Sequence, residues 1–227
     1  MTQFITGSPQ ARIETYRSHL IDCLDKAETG DSRANQQLLE MEGMTGRKTR
    51  LFYNKLGALP GLRYLEIGTW KGSSVCSVMC GNQADRLLCI DNWSQFGDVK
   101  QEFLDNFRKF RGSNLAEFLE SDCFEVDPRT IGPFNVYLFD GDHSFDSHRL
   151  ALEHFQPCMD DIFIFVVDDW NWEDVRAGTH AGIANSGLEI VFSREIRLTW
   201  DNSHTPLEEA HSGWWNGLFV AILRKSG

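Results

Sequence analysis

The sequence has no apolar run near the roughly 18 residues that a membrane span needs, and its start, MTQFITGSPQ, lacks the pattern of a signal peptide. Basic residues are also scarce, because 22 lysines and arginines stand against 33 acidic residues and the net charge is -11. Such a chain would repel a nucleic acid or an anionic membrane. We therefore expect a cytoplasmic protein with a small-molecule partner, no nucleic acid and no membrane.

Paired cysteines are missing as well. The six cysteines are scattered, with no CxxC pair and no histidine at zinc spacing, so we expect reduced thiols in the core. Hydrophobic residues make up 41% of the 227 residues and charged residues 24%, close to the globular average. The chain is expected to fold as one compact unit.

The order of apolar segments predicts an α/β fold. Helical spacing dominates residues 9–58, and short apolar runs alternate with helical segments from residue 62 onward. This alternation is typical of a doubly wound, Rossmann-like sheet. The last two runs have no predicted helix between them, which favours a hairpin and a seven-stranded, mostly parallel sheet with a reversed last strand. Residues 1–60 are expected to form an N-terminal helical cover and residues 61–227 the main domain.

The segment YLEIGTWKGSSV has the pattern of a strand, a glycine turn and a helix, where doubly wound folds bind nucleotide-like ligands. Gly68 and Gly72 are spaced GxxxG, not GxGxxG, and Glu66 would repel a pyrophosphate, which disfavours NAD. S-adenosylmethionine has no phosphates, and its cationic groups could pair with Glu66 while its carboxylate lies at the helix start near Ser74. The alternative is a structural turn without a ligand.

Two further acids follow the next predicted strands. Asp91, in LLCIDNW, comes roughly twenty residues after the turn, where a carboxylate can accept both ribose hydroxyls. Trp93 could pack beside the adenine. Asp122, in LESDCFEV, could accept the adenine amino group.

Two apolar runs end in aspartates, FNVYLFDGDHSFD and IFIFVVDDW. Parallel strands present their carboxyl ends at one edge, so Asp140, Asp142, Asp168 and Asp169 should lie together near the cofactor. Ionised carboxylates at close range need a cation, and an all-oxygen set selects Mg²⁺ or another oxygen-preferring divalent ion. The alternative is that Asp168 or Asp169 caps the following helix.

His143 is the titratable group whose ordinary pKa, about 6.5, suits removal of a proton from a hydroxyl near neutral pH. Asp142 is the rival base. A metal on that hydroxyl would lower its pKa and align it with the methyl group. The alternative for His143 is a hydrogen bond within its own loop.

The motifs YLEIGTWKG, CIDNW, FDGDH and VVDDW, in this order, resemble the class I S-adenosylmethionine-dependent methyltransferases over roughly residues 40–225. The DGD and DD pairs are similar to those of the metal-dependent O-methyltransferases, including the macrocin-type sugar enzymes and, more distantly, the catechol and caffeoyl-coenzyme A types. Catechol-type enzymes have Asp-Asn at the second pair and a lysine base where this chain has His143.

This resemblance implies metal ligands at Asp140, Asp168 and Asp169. It also implies a cover segment, EGMTGRKTR (residues 42–50), that could close over the site. The implied cofactor contacts are Glu66, Gly68, Thr69, Gly72, Ser74 and Asp91.

The resulting hypothesis is a magnesium-dependent O-methyltransferase acting on a sugar or another small hydroxylated metabolite. The alternatives are a metal-independent methyltransferase of the same fold and a non-catalytic S-adenosylmethionine-binding module. The acceptor pocket would be built from variable loops. Four tryptophans in those loops could stack on the acceptor, or could pack in the core or in a homodimer interface: Trp93, Trp200, Trp214 and Trp215.

Overall fold

The computed structural model describes residues 7–226 and contains a single sheet flanked by helices. The strands are β1 (Arg63–Ile67), β2 (Arg86–Asp91), β3 (Ala116–Glu120), β4 (Phe134–Phe139), β5 (Met159–Asp168), β6 (Leu188–Ile196) and β7 (Leu218–Lys225). The helices are α1 (Pro9–Thr29), α2 (Gln36–Leu39), α3 (Arg47–Leu56), α4 (Ser73–Met79), α5 (Lys100–Arg111), α6 (Phe145–Phe155), α7 (Glu173–Asn185) and α8 (Leu207–Ser212).

The strand order is β3-β2-β1-β4-β5-β7-β6. β7 runs antiparallel to both β5 and β6, and the pairs among β1 to β5 are parallel. The predicted seven-stranded, doubly wound sheet with a reversed last strand is confirmed. The prediction that no helix lies between the last two strands is wrong, because α8 forms there. Its six residues make less than two turns, too short for a periodic pattern to show.

The hydrophobic core lies on both faces of the sheet, as the alternation of side chains along a strand requires. In β4, Val136 and Leu138 join the cluster under α1, α3, α4 and α5, whereas Tyr137 and Phe139 join the cluster under α6 and α7. Helices α1 and α3 therefore share a core with the sheet. Burial of this apolar surface contributes about 25 cal/mol per Å² to folding.

One close approach brings the turn after β1 against the end of β4. The backbone N–H of Asp140 donates to the Ile67 carbonyl at 2.9 Å, and a Cβ atom at Gly68 would lie 1.9 Å from the Asp140 carbonyl oxygen. Gly68 also has a φ of 81°, which favours glycine. Gly68 therefore allows the turn after β1 to lie directly against Asp140 at the end of β4.

All six cysteines are free thiols, and all except the half-buried Cys123 are buried. Burial raises the pKa of the Cys123 thiol to about 12, as expected for an inert thiol. Across residues 7–226, the helices are too short or too polar to span a bilayer.

Candidate active site

A cavity of about 620 Å³ opens at the carboxyl ends of the parallel strands. This volume lies in the range of small-molecule sites. It connects the turn after β1 with the ends of β2, β4 and β5. The predicted site residues that line it are Gly68, Asp91, Trp93, Asp122, Asp140, Asp142, His143 and Asp169.

Asp91, at the end of β2, organises the turn after β1. Its Oδ2 accepts hydrogen bonds from the backbone N–H groups of Thr69 at 2.7 Å and Trp70 at 2.8 Å. Its Oδ1 accepts from the N–H of Trp93 at 2.7 Å. Because a carboxylate oxygen can accept more than one hydrogen bond, Oδ1 retains capacity toward the cavity.

Trp93 and Asp122 form part of the wall beside Asp91. The Trp93 ring packs 5.0 Å from the Phe103 ring, and its Nε1 donates to the Trp70 carbonyl at 2.9 Å. Asp122 follows β3, and its side chain accepts from the Phe124 N–H at 2.9 Å. The structure therefore gathers the ends of β1, β2 and β3 around one half of the cavity.

Glu66 and Ser74 lie away from the cavity surface. Glu66 is fully buried within β1, and its two oxygens accept hydrogen bonds from the hydroxyls of Tyr64 and Ser74, each at 2.6 Å. Burial raises the pKa of Glu66 to about 8, so this carboxyl is largely protonated at neutral pH. The predicted charge pairing of Glu66 with a cationic ligand is therefore not supported by its placement, because the residue belongs to the strand and not to the turn.

Thr69 and Gly72 shape the turn without lining the cavity. Thr69 donates to Asp91 through its backbone, and Gly72 has a φ of 84° immediately before α4. A Cβ atom at Gly72 would lie 3.1 Å from the Phe103 ring. These residues position the turn, and Gly68 is the glycine that faces the cavity.

Asp140, His143 and Asp169 form a compact cluster in the other half of the cavity. One ligand atom from each lies within 4.8 Å of the others. The Nε2 atom of His143 is 2.9 Å from Asp169 Oδ2 and 3.9 Å from Asp140 Oδ1. Burial alone would lower the pKa of His143, but the two carboxylates raise it to about 10.

The same burial, together with the Asp169 charge, raises the pKa of Asp140 to about 6 although His143 opposes the shift. The 2.9 Å contact between His143 and Asp169 is an ion pair without the alignment of a hydrogen bond, since the buried Nε2 has no hydrogen-bond partner within residues 7–226. The two neighbouring carboxylates, Asp140 and Asp169, offer the oxygen ligands that a divalent cation such as Mg²⁺ prefers.

Asp168 is placed differently from its neighbour. It is buried, its Oδ1 accepts from the Asp169 N–H at 3.0 Å, and it is outside the three-residue cluster. Burial raises the pKa of Asp168 well above its usual range, with further increases from Asp140 and Asp169. Asp169 has a φ of 56°, so a backbone turn separates the two side chains. The structure thus brings together Asp140, His143 and Asp169, and the predicted ligand Asp168 lies outside this cluster.

Asp142, the rival base, is exposed. Hydrogen bonds from Ser144 lower its pKa, which weakens it as a base. Its Oδ1 accepts from the Ser144 N–H at 3.1 Å, a local turn contact just before α6. Among the other histidines, His148 is buried, and burial lowers its pKa to about 3.

Three residues of the wall around the acidic cluster were not predicted from the sequence. Trp172 packs 4.7 Å from the His143 ring and 4.9 Å from the His204 ring. Asn216 Nδ2 donates to Asp169 Oδ1 at 2.8 Å. The three residues are Trp172, His204 and Asn216, and the same part of the wall also contains Met44 and Trp215. Only a register that places the start of β7 beside the end of β5 could have indicated Asn216.

The four loop tryptophans divide between cavity and core. Trp93 and Trp215 line the cavity, Trp214 is buried with its ring 6.1 Å from Phe52, and Trp200 is 79% exposed outside the cavity. From the predicted cover segment, Met44 reaches the cavity. Its neighbour Arg50 is buried and donates to the Leu38 carbonyl at 2.7 Å.

Comparison with known families finds one matching domain family. Residues 65–170, just under half of the chain, match a family described as a methyltransferase domain. This segment runs from β1 through the end of β5 and contains both halves of the predicted site. Together with the sheet order, the match supports the resemblance to the class I S-adenosylmethionine-dependent methyltransferases.

Solved structures share this fold at low sequence identity. TrmN from Thermus thermophilus is 14% identical with a TM-score of 0.56, covering 83% of this chain and 52% of its own. An O-methyltransferase from Bacillus cereus in complex with SAH is 14% identical with a TM-score of 0.52, covering 91% of each chain. A ribosomal protein L11 methylase from Lactobacillus delbrueckii is 12% identical with a TM-score of 0.52, covering 79% of this chain and 78% of its own.

The chain therefore spans about half the length of the Thermus protein and most of the length of the other two. A search of curated proteins finds no match. At these identities the structural likeness defines the fold, and the acceptor must be argued from the site itself.

Proposed function

We propose that the protein transfers the methyl group of S-adenosylmethionine to a hydroxyl of a small acceptor, with a bound Mg²⁺ or similar divalent cation. The observation that carries this proposal is that one cavity joins the turn beside Asp91 to the cluster of Asp140, His143 and Asp169. A cofactor in the first half would point its sulfonium toward an acceptor oxygen in the second.

The cofactor half offers contacts for each part of S-adenosylmethionine. Asp91 Oδ1 would accept from the ribose, and Trp93 and Asp122 would border the adenine. Gly68 leaves the turn open to the methionine portion, because any side chain there would collide with Asp140. The turn is supported on its buried side by four further residues. Glu66 contacts Tyr64 and Ser74, Thr69 contacts Asp91, and Gly72 packs against Phe103.

Asp140 and Asp169 would hold the cation, and Asp168 lies buried beside them, where a bound cation would favour its ionised form. A divalent cation there supplies Lewis acidity that lowers the pKa of an acceptor hydroxyl. Asn216 fixes the orientation of Asp169 through its 2.8 Å hydrogen bond. The carboxylates thus remain directed at the cavity before any ligand binds.

His143 is the proposed base, because it lines the cavity at the cluster, whereas hydrogen bonds from Ser144 weaken Asp142 as a base. Asp140 and Asp169 keep His143 protonated in the free protein. With those carboxylate charges offset by a cation, His143 would lose the interaction that raises its pKa and could accept the acceptor proton.

A metal-independent methyltransferase is the second candidate. The observation that favours it is the ion pair itself, because a protonated His143 already offsets the charges of Asp140 and Asp169. In that case His143 would orient the acceptor, and the exposed Asp142 would remove the proton. In both versions the segment that contains Met44 would act as a cover, because Met44 lines the cavity.

Isothermal titration with S-adenosylmethionine, followed by methyl-transfer assays with and without a chelator, tests the proposal. We expect saturable binding by the wild-type protein, and transfer that the chelator stops and Mg²⁺ restores. Transfer that persists after chelation would select the metal-independent version. Absence of cofactor binding would refute both versions.

A further inference from the structure

The loop from Leu198 to Thr205, between β6 and α8, is tied to the end of β5 by a buried asparagine. Asn171 Oδ1 accepts from the N–H groups of Leu198 at 2.8 Å and Thr199 at 3.2 Å, and its Nδ2 donates to Thr205 Oγ1 at 3.0 Å. These bonds fix the loop against the strand end that carries Asp169. The loop is therefore held beside the cavity, which its residue His204 lines.

A second buried asparagine, Asn216, has an amide orientation that its partners determine. Its Oδ1 accepts from the Thr205 N–H at 3.0 Å, so this atom must be the oxygen. Its Nδ2 then faces Asp169 Oδ1 at 2.8 Å and His204 Nδ1 at 3.3 Å. One amide group thus donates to both a proposed cation ligand and a histidine of the loop.

This orientation fixes the tautomer of His204. An amide nitrogen can only donate, so Nδ1 of His204 must be the acceptor and cannot carry a proton. The proton of the neutral ring then lies on Nε2. His204 is an exposed residue of the cavity wall, with its ring edge-on to Trp172 at 4.9 Å. Its Nε2–H is therefore an uncharged donor available to a bound molecule.

The charges of the cavity limit what that molecule can be. Of the residues between 7 and 226 that line the cavity, none is a lysine or an arginine. The wall instead carries five aspartates: Asp91, Asp122, Asp140, Asp142 and Asp169. A phosphate or carboxylate on the acceptor would meet these acids with no cationic side chain except His143, which already pairs with Asp140 and Asp169. The charge of the proposed cation would likewise be offset by the same two carboxylates.

We propose that the cavity selects an acceptor without an anionic group, and that His204, held by Asn216, is the specificity-determining donor to one of its oxygens. The inference rests on the proposed methyl transfer and names the chemical class of its acceptor. Asn216 is a positioning residue, because it acts through Asp169 and His204.

The tautomer is tested without cofactor or acceptor, by nitrogen NMR of the full-length protein labelled at histidine. His204 should show a protonated Nε2 and an unprotonated Nδ1, and the Asn216→Ala variant should lose this preference. The matched control is His211→Phe, on α8, whose ring contacts Trp215 at 5.4 Å and does not line the cavity. A His204 ring protonated on Nδ1 in the wild-type protein would overturn the proposal.

The acceptor class is tested with methyl-tritiated S-adenosylmethionine and a small-molecule extract as the probe. Labelled products are separated on an anion-exchange resin, and the signal of the Asp140→Asn variant is subtracted. Label should pass through the resin, and label retained on it would overturn the proposal. If no labelled product forms and titration shows no binding of S-adenosylmethionine, the proposed function itself is refuted. The NMR experiment tests the role of His204 separately.

The role of His204 is tested by steady-state kinetics, with the unmethylated form of the labelled product as the acceptor. His204→Phe should raise KM about 3- to 10-fold with kcat within about twofold, the loss expected for one neutral hydrogen bond. His204→Gln, which keeps a donor, should recover most of the wild-type KM. An unchanged KM in His204→Phe, or equal values for the two variants, would contradict a specificity role.

Discussion

The two halves of the cavity both place aspartates at strand ends, but they satisfy these carboxylates differently. Asp91 receives backbone N–H donors from Thr69, Trp70 and Trp93. Asp140 and Asp169 instead face each other across His143, and burial raises the pKa of Asp140 to about 6. A carboxylate surrounded by backbone donors is stable as an anion, whereas crowded carboxylates need a cation.

The carboxyl of Glu66, in the same sheet, is accommodated in a third way. It has neither backbone donors nor a cationic partner, and its burial raises its pKa to about 8, so protonation neutralises it. Strand position alone therefore does not define the role of an acid here. The donors around each carboxylate do.

The largest expected effect comes from a substitution in the acidic cluster of Asp140, His143 and Asp169. Asp140→Asn removes a proposed cation ligand, and we expect kcat to fall about 10²- to 10⁴-fold, a loss of several kcal/mol of transition-state stabilisation. S-adenosylmethionine binding should be retained, because Asp91 is untouched. Steady-state kinetics and titration check both. Asp146→Asn on α6, an exposed acid paired with Arg149, is the matched control and should behave as wild type.

The second-largest expected effect concerns the half of the cavity around Asp91. Asp91→Ala removes the acceptor of three backbone N–H groups and of the proposed ribose contact, so the Kd for S-adenosylmethionine should rise about 100-fold. Titration calorimetry measures this change. Asp105→Ala, an exposed acid on α5, serves as the control. An unchanged Kd in Asp91→Ala would remove Asp91 from the cofactor site.

Glu66→Gln sharpens the comparison, because glutamine mimics the protonated acid. The pKa of Glu66 is raised to about 8 in the folded protein, so the wild type loses stability as pH rises from about 4.5 to 8. We expect equal unfolding free energies near pH 5 and an advantage of about 2 kcal/mol for Glu66→Gln near pH 7.5. Urea titrations at the two pH values check this, and parallel pH profiles would contradict it.

The smallest effect concerns Tyr53 in α3, whose buried hydroxyl has no hydrogen-bond partner within the described part of the chain. Tyr53→Phe should change the free energy of unfolding by less than about 1 kcal/mol, in the stabilising direction. Tyr64→Phe is the contrasting variant, because its hydroxyl donates to Glu66 at 2.6 Å, and its loss should cost about 1 to 3 kcal/mol. Equal effects from the two substitutions would contradict this distinction.

Strand periodicity and the position of acids at strand ends were enough to predict the sheet and the acidic residues of the cavity wall. Parallel strands must bring Asp91, Asp122, Asp140 and Asp169 to one edge, and the structure has them in one wall. The same reasoning could not separate Asp168 from Asp169, because a single backbone φ of 56° decides which side chain faces the cavity.

Placement of Glu66 and Asn216 depended on features that a sequence pattern does not carry. Glu66 is one residue inside β1, and a shift of one position along a strand reverses the face to which a side chain points. Asn216 reaches Asp169 because β7 pairs antiparallel with β5, so Leu218 lies opposite Asp168. That register follows from tertiary packing of the last strands.

The most direct test of the account is titration of Mg²⁺ into the protein saturated with S-adenosylhomocysteine, using the wild type, Asp140→Asn and Asp169→Asn. The account predicts one site in the wild type that both substitutions abolish. Mg²⁺ binding of equal affinity in all three proteins would contradict a cation site between these two strand ends.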